Sequence, residues 1–199
     1  MASSISQFGA SFKKDIARPS RFDVFIPIPY VLLPYYNDSK NLALRCEAAL
    51  LPSRTLATTE KKIGSVPIQK FPYLSTYTEV VLEFIVSGDM SEKLFFDAWL
   101  EVINPSSNFN FRYKKDYCTD VVIRQYNASN QLVYDTMLID AFPAAVNQLD
   151  LDWSSDGYHK LAVVFEYTYW TNNMLDNIGK NTLTQGLTGL NSILNTQNF

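Results

Sequence analysis

Alternation of apolar and other positions dominates this chain, and a period of two marks strands that bury one face. From Arg21 to Tyr30, Phe22, Val24, Ile26 and Ile28 share a face, while Pro27 and Pro29 remove two ladder donors. That predicts an edge strand, or one that ends early. Leu42–Ala48 alternates again, with Leu44, Cys46 and Ala48 on one side and Arg45 and Glu47 on the other. Thr78–Val86 gives the cleanest core strand: Val80, Leu82, Phe84 and Val86 inward, Glu79, Val81, Glu83 and Ile85 outward. Val121 onward predicts a hairpin, in which Val121–Tyr126 and Leu132–Ala141 flank a turn at Asn127–Asn130 and Phe142-Pro143 ends the pairing. Gln148–Trp153 reads as a short strand and Ser154–Gly157 as a turn. Lys160–Trp170 follows as a long strand with Leu161, Val163, Phe165, Tyr167 and Tyr169 on one face.

The period changes where Leu94, Phe95, Ala98, Trp99 and Val102 recur at three- and four-residue steps. This predicts an amphipathic helix over Ser91–Ile103, capped by Ser91, stopped by Asn104–Ser107, and covering one face of the sheet. The sum is a mainly β fold of seven or eight strands, an antiparallel sandwich or barrel with one packed α-helix. Between the strands, the segment 51–73 contains Pro52, Gly64, Pro67 and Pro72 and has no core periodicity. Pairing of Thr55–Lys62 with Ser65–Phe71 around Gly64 would make it a projecting arm, and long arms on compact domains usually make contacts.

Two flanking segments stand apart from this β domain over 21–170. Residues 1–20 form a short polar arm with Phe8, Phe12 and Ile16 spaced as anchors. Residues 171–199 hold only two charges, Asp176 and Lys180, against 35 in the first 170. In that extension Leu183, Leu187, Leu190 and Leu194 fall at helical spacing, but Gly186 and Gly189 each cost about 1 kcal/mol relative to Ala, so a helix there needs a neighbour.

Composition narrows the function. The 199 residues carry 17 Lys and Arg against 20 Asp and Glu, a net charge of −3, with 47% hydrophobic and 14% aromatic positions. Such a chain has no general attraction for nucleic-acid backbone. No apolar run approaches a membrane span, and the first residues lack a basic and an apolar stretch of the leader type, which predicts a cytosolic protein with no direct membrane insertion. Cys46 and Cys118, 72 positions apart, suit neither a disulfide framework nor a metal site and are expected to be reduced. His159 is the single histidine and sits beside a turn. Asp150 and Asp152 share a strand parity but lack the spacing of a metal loop, and Gly64, Gly88 and Gly157 stand alone. Lys114 and Lys115 between Tyr113 and Tyr117 suit a solvated loop or a salt-bridging interface better than a base-stacking platform. The expectation is no catalytic group, no cofactor and no metal.

Several segments taken together resemble the tail tube proteins of contractile-tailed bacteriophages of the T-even type, from about Ala17 to Trp170. They are Ala17–Phe22, Arg45–Pro52, Phe96–Trp99, Tyr113–Lys115, Val121–Tyr126, Phe142-Pro143, Gln148–Trp153 and Tyr169-Trp170, in family order. Pro27, Pro29 and Tyr35-Tyr36 lengthen the first hairpin, and 171–199 has no counterpart in the pattern. The resemblance implies a virion protein assembled in the host cytoplasm. Six copies would form a ring whose inner sheets join into one continuous barrel, and rings would stack into a hollow conduit for genome delivery. The expected partners are further copies of the chain, the tail sheath, the baseplate and the tail terminator, with DNA as passing cargo. It also implies that the arm 51–73 makes ring-stacking contacts through Arg54, Glu60, Lys61, Lys62 and Lys70. Glu79, Glu83 and Glu166 become candidates for lining the lumen, although alternation gives two faces and does not say which is inner. The helix Ser91–Ile103 would lie outside, toward the sheath. An end ring with the same fold, at the baseplate or tail tip, is the alternative, and 171–199 is the feature that keeps it open.

Overall fold

A computed structural model of the protein describes residues 16–35, 39–62, 64, 67–154 and 156–174. Phe8, Phe12 and the leucine series 183–194 lie outside the described residues, and Ile16 is exposed. Nine strands and three short α-helices are present among the described residues. The strands are β1 (Phe22–Phe25), β2 (Cys46–Ala49), β3 (Arg54–Lys61), β4 (Gln69–Tyr77), β5 (Val80–Ile85), β6 (Thr119–Tyr126), β7 (Leu132–Val146), β8 (Lys160–Glu166) and β9 (Tyr169–Thr171). The helices are α1 (Ser39–Leu44), α2 (Ser91–Ile103) and α3 (Lys114–Tyr117), with a 3-10 turn at Tyr30–Leu32. One antiparallel sheet runs in the order β1-β6-β7-β8-β5-β2, with β9 also on β7, and β3 and β4 form a separate ribbon. The mainly β class and the packed helix are as the pattern predicts.

The core gathers where α2 lies on the sheet. Phe95, Phe96, Trp99, Val102 and Ile103 of α2 are buried with Val80, Leu82 and Phe84 of β5 and Leu161, Val163 and Phe165 of β8. The rings interlock: Phe96 lies 5.1 Å from Phe84, 6.4 Å from Trp99 and 6.1 Å from Phe165 between centroids. Trp99 satisfies its indole by donating to the Tyr117 carbonyl at 2.9 Å, which ties α3 to α2. Burying a polar donor costs free energy unless it is paired, so this bond lets the largest side chain sit at the centre. The bounds of α2 match the expected helix, but Leu94 is exposed and Phe96 takes the buried place, a rotation of the expected face.

Several expectations need correction, each for a local reason. Ser91 is not the cap of α2: Met90 precedes the helix in the left-handed region at φ 56°, and Asp89 accepts from the Ser91 amide at 3.4 Å. Leu42–Ala48 is not one strand. Leu42 is buried on α1 while Leu44 is exposed, and pairing begins only at Cys46, with a bulge before Ala48. Phe142-Pro143 does not break β7. Pro143 sits opposite Phe165 beside a register shift, which tolerates the missing donor, and there β7 passes from its β6 pairing to β8. Gln148–Trp153 is loop, because neither neighbouring strand extends to pair with it. Finally, Lys160–Trp170 splits at 167–168 opposite Asp140, which has φ 56°. Thr168 donates to the Ile139 carbonyl at 3.0 Å, so β9 resumes along β7 after the kink.

Candidate assembly surfaces

Four surfaces bear on the expected contacts: the ribbon, the outward face of the sheet, its two edges, and the exposed side of α2. The ribbon pairs Arg54 with Tyr77 at its root and Lys61 with Gln69 near its tip, with one bulge between Ala57 and Thr58. Its second strand runs to Tyr77 and begins at Gln69, later than the expected Ser65–Phe71. The root is fixed to the body. Ser53 and Thr78 hydroxyls meet at 2.8 Å, the Tyr167 hydroxyl donates to the Thr78 carbonyl at 2.6 Å, and the Tyr77 and Tyr167 rings meet edge on at 6.3 Å. Burial, then the charge of Glu166, pushes the Tyr167 hydroxyl up to about 12, so it remains a donor at neutral pH.

The expected stacking residues separate into two groups. Glu60 and Lys70 face each other across the ladder at 3.3 Å, and Lys61 and Lys62 follow at the tip, all exposed. Arg54 lies at the root instead, donating to the Ser75 hydroxyl at 3.0 Å with its guanidinium 5.9 Å from the Tyr77 ring centre. Of the five expected stacking residues, four therefore lie toward the tip, whereas Arg54 braces the root. Exposed Leu56, Ile68, Phe71, Tyr73 and Leu74 complete the ribbon. These apolar residues were not singled out from the sequence; five large apolar side chains in a segment with no core periodicity were the available signal.

On the body, the parity of β5 and β8 turns Val81, Glu83, Ile85, Ala162, Val164 and Glu166 away from α2. Glu83 is opposite Ala162, and the register Val80 to Phe165 sets Glu79 beside Glu166 at the ribbon end. Glu79 precedes β5 and is exposed; Glu83 is half-buried. All three glutamates thus belong to one face. Cys46 packs against the core behind it, and burial, then the Glu83 charge, pushes its thiol up to about 12. Burial likewise raises Cys118 to about 11, so both cysteines are protonated thiols.

The two edges of the sheet, β1 and β2, approach each other without forming a ladder. A cleft of about 120 Å³ opens between them, lined in part by Phe22, Ala49, Leu51 and Ile123. Unpaired edges are aggregation liabilities unless a neighbour closes them. On the other side of the body, α2 exposes Leu94, Asp97 and Glu101, with Lys93 paired to Asp97 at 2.5 Å.

A buried ionic network fixes β2, β5 and α2 to one another. Glu92 is fully buried and pairs with Arg45. Its second oxygen accepts from the Ser87 amide and hydroxyl, each at 2.8 Å. A carboxylate at a helix N-terminus is also favoured by the helix dipole. Alternation places Arg45 outward on a strand and does not reveal its ion pair; Glu92 in the first turn, one residue after Ser91, is the available signal.

The remaining chemical candidates are dispersed. Asp150 and Asp152 are exposed on the 147–159 loop, and the Ser154 amide and hydroxyl hold the Asp152 carboxyl below the usual range. His159 is half-buried beside them. Lys114 pairs with Asp140 at 3.2 Å and bonds Thr168, bracing the kink. Among the described residues no group of three or more His, Cys, Asp or Glu is placed to hold a metal ion, and no helix is long and apolar enough to cross a membrane.

A family model described as phage tail tube protein matches residues 17–173. No curated protein matches the sequence. Among solved structures, a chain of the anti-feeding prophage baseplate superposes with a TM-score of 0.57 at 21% identity, covering 79% of this chain and 95% of that one. A chain from the PVC sheath-tube complex of an extracellular contractile injection system gives 0.55 at 16% identity, covering 86% and 98%. The tube-terminating cap of the anti-feeding prophage gives 0.55 at 15%, covering 80% and 91%. At these identities the likeness is one of fold.

Proposed function

The chain belongs to the phage tail tube protein family and is a structural, non-enzymatic protein of the virion tail, and from that premise we propose that it is the repeating subunit of the tube. Six copies close into a ring, rings stack into a hollow conduit, and the genome passes through as cargo. The observation that carries this reading is the pair of edges, β1 and β2, that have no further strand beside them among the described residues, on a body with its own hydrophobic core. Edge pairing between copies turns six open sheets into one barrel and removes the liability. In this reading 21–170 is the tube body, 51–73 reaches the neighbouring ring through Glu60, Lys61, Lys62 and Lys70, and Arg54 holds the root. Residues 1–20 and 171–199 act as flanking extensions.

The outward face carrying Glu79, Glu83 and Glu166 forms the wall of the lumen. Lys160 lies on this face too but is held by Glu47 at 2.8 Å, and the acids and apolar side chains repel or ignore phosphates, since each neutralised phosphate contact would add to DNA binding and slow transit. The opposite side, with α2 outermost, meets the tail sheath, while baseplate and terminator proteins close the two ends. Assembly takes place in the host cytoplasm, which suits two protonated thiols. The test is the mass of the assembled species by mass photometry and sedimentation velocity. Particles of six subunit masses support the ring; a species that stays monomeric at every concentration overturns it. A second reading, an end ring, is favoured by the charge-poor segment 171–199, and deletion of 175–199 separates the two: a tube subunit still stacks, an end ring loses its partner.

A further inference from the structure

The two segments that leave opposite ends of the body carry opposite charge, while Glu79 and Glu166 at the ribbon end and Lys160, paired with Glu47, at the loop end belong to the body itself. β5 runs from Val80, next to the ribbon root, to Ile85, and β8 runs back from Lys160 opposite Ile85. The ribbon therefore leaves one end of the strands and the 147–159 loop leaves the other, separated by a six-residue strand of roughly 20 Å. The segment 51–77 holds Arg54, Lys61, Lys62 and Lys70 against Glu60 alone, a net charge of +3. The 147–159 loop holds Asp150, Asp152 and Asp156 and no Lys or Arg, a charge of −3 with His159 neutral. It also places Leu151 at 86% exposure and Trp153 at 107%, the two most exposed large apolar side chains among the described residues. The Ser154 amide and hydroxyl bond Asp152 and favour its ionised carboxylate.

We infer that the acidic, tryptophan-tipped loop 147–159 of one copy is the receiving surface for the basic ribbon tip of the next copy along the tube. The occupant is a second copy because charge and apolar character match within the chain itself. Lys61, Lys62 and Lys70 meet Asp150, Asp152 and Asp156, while Ile68 and Phe71 meet Leu151 and Trp153. Two different surfaces at opposite ends make a head-to-tail contact, which propagates along an axis. Aromatic anchors ringed by polar contacts are the usual energetic centre of such an interface. This inference rests on the tube reading and names the surface that the ribbon engages.

The test uses two full-length variants. Lys61→Glu/Lys62→Glu/Lys70→Glu makes both ends acidic, and Asp150→Lys/Asp152→Lys/Asp156→Lys makes both ends basic; every substituted residue is exposed. Each variant alone should need at least about tenfold more protein to stack than the native chain, because like charges now meet. An equimolar mixture, and a chain carrying all six changes, should stack at near-native concentration with subunits alternating in the mixture. Stacking of either variant alone at native concentration overturns the inference and leaves the tube reading standing. Failure of both the mixture and the six-change chain, with circular dichroism unchanged, also overturns it. A native chain that never stacks overturns the tube reading and the inference together.

Discussion

The body around α2 and the β3–β4 ribbon are built from similar strand-forming residues, yet they solve opposite problems. In the body, Phe84, Phe96, Trp99 and Phe165 are fully buried and touch one another. In the ribbon, nearly every residue is exposed, and Leu56, Phe71, Tyr73 and Leu74 have no core to enter. A lone two-stranded ribbon is marginal in water. The body folds for its own sake, and the ribbon, in the tube reading proposed above, is finished by a neighbour. The root, where Tyr167 holds Thr78, is the joint between the two regimes.

That contrast gives graded predictions. The largest effect should come from Trp99→Ala, which empties the centre of the core and orphans the Tyr117 carbonyl; about 3–5 kcal/mol of stability should be lost in urea unfolding. Glu92→Ala leaves Arg45 and the Ser87 donors without their acceptor and should cost about 3 kcal/mol by the same assay. Equal stability of either variant and the native chain would mean the body is not what holds the subunit together. Tyr167→Phe removes one bond at the joint and should cost about 1 kcal/mol. Its clearer signature is faster hydrogen exchange in β3 and β4 with the body unchanged.

The thiols give a pH test of the body alone. The folded state raises Cys46 above its unfolded value near 9, to about 12, so it holds the proton more tightly than the unfolded chain. Stability from this group is full below about pH 9 and is lost as pH rises toward about 12. Cys46→Ala should flatten that slope, and alkylation of the native chain at pH 8 should be slow until denaturant is added. The smallest effect belongs to the ribbon: Lys70→Ala, which removes an exposed pair with Glu60, should change subunit stability by under about 0.5 kcal/mol.

Much of the body was legible because burial imposes a period. Val80, Leu82 and Phe84 alternate as expected, and α2 begins and ends at Ser91 and Ile103. The failures lie where alternation lacks a partner or geometry interrupts it. Leu149, Leu151 and Trp153 alternate, but no strand lies beside them, so they form a loop. Asp140 at positive φ and Pro143 at a bulge bend β7 between two pairings, which residue-by-residue preference reads as a strand end. At the candidate surfaces, the ribbon and its basic tip were readable from composition, and the shared parity of Glu83 and Glu166 from alternation. That the basic tip and the acidic loop occupy opposite ends was not, because it depends on the register of β5 with β8.

The most direct test of a body that closes its edges by assembly is negative-stain electron microscopy of the native chain across a rising concentration series. Hollow tubes or six-fold rings, lengthening with concentration, are the expected result. Discrete particles without six-fold symmetry at every concentration would contradict the account.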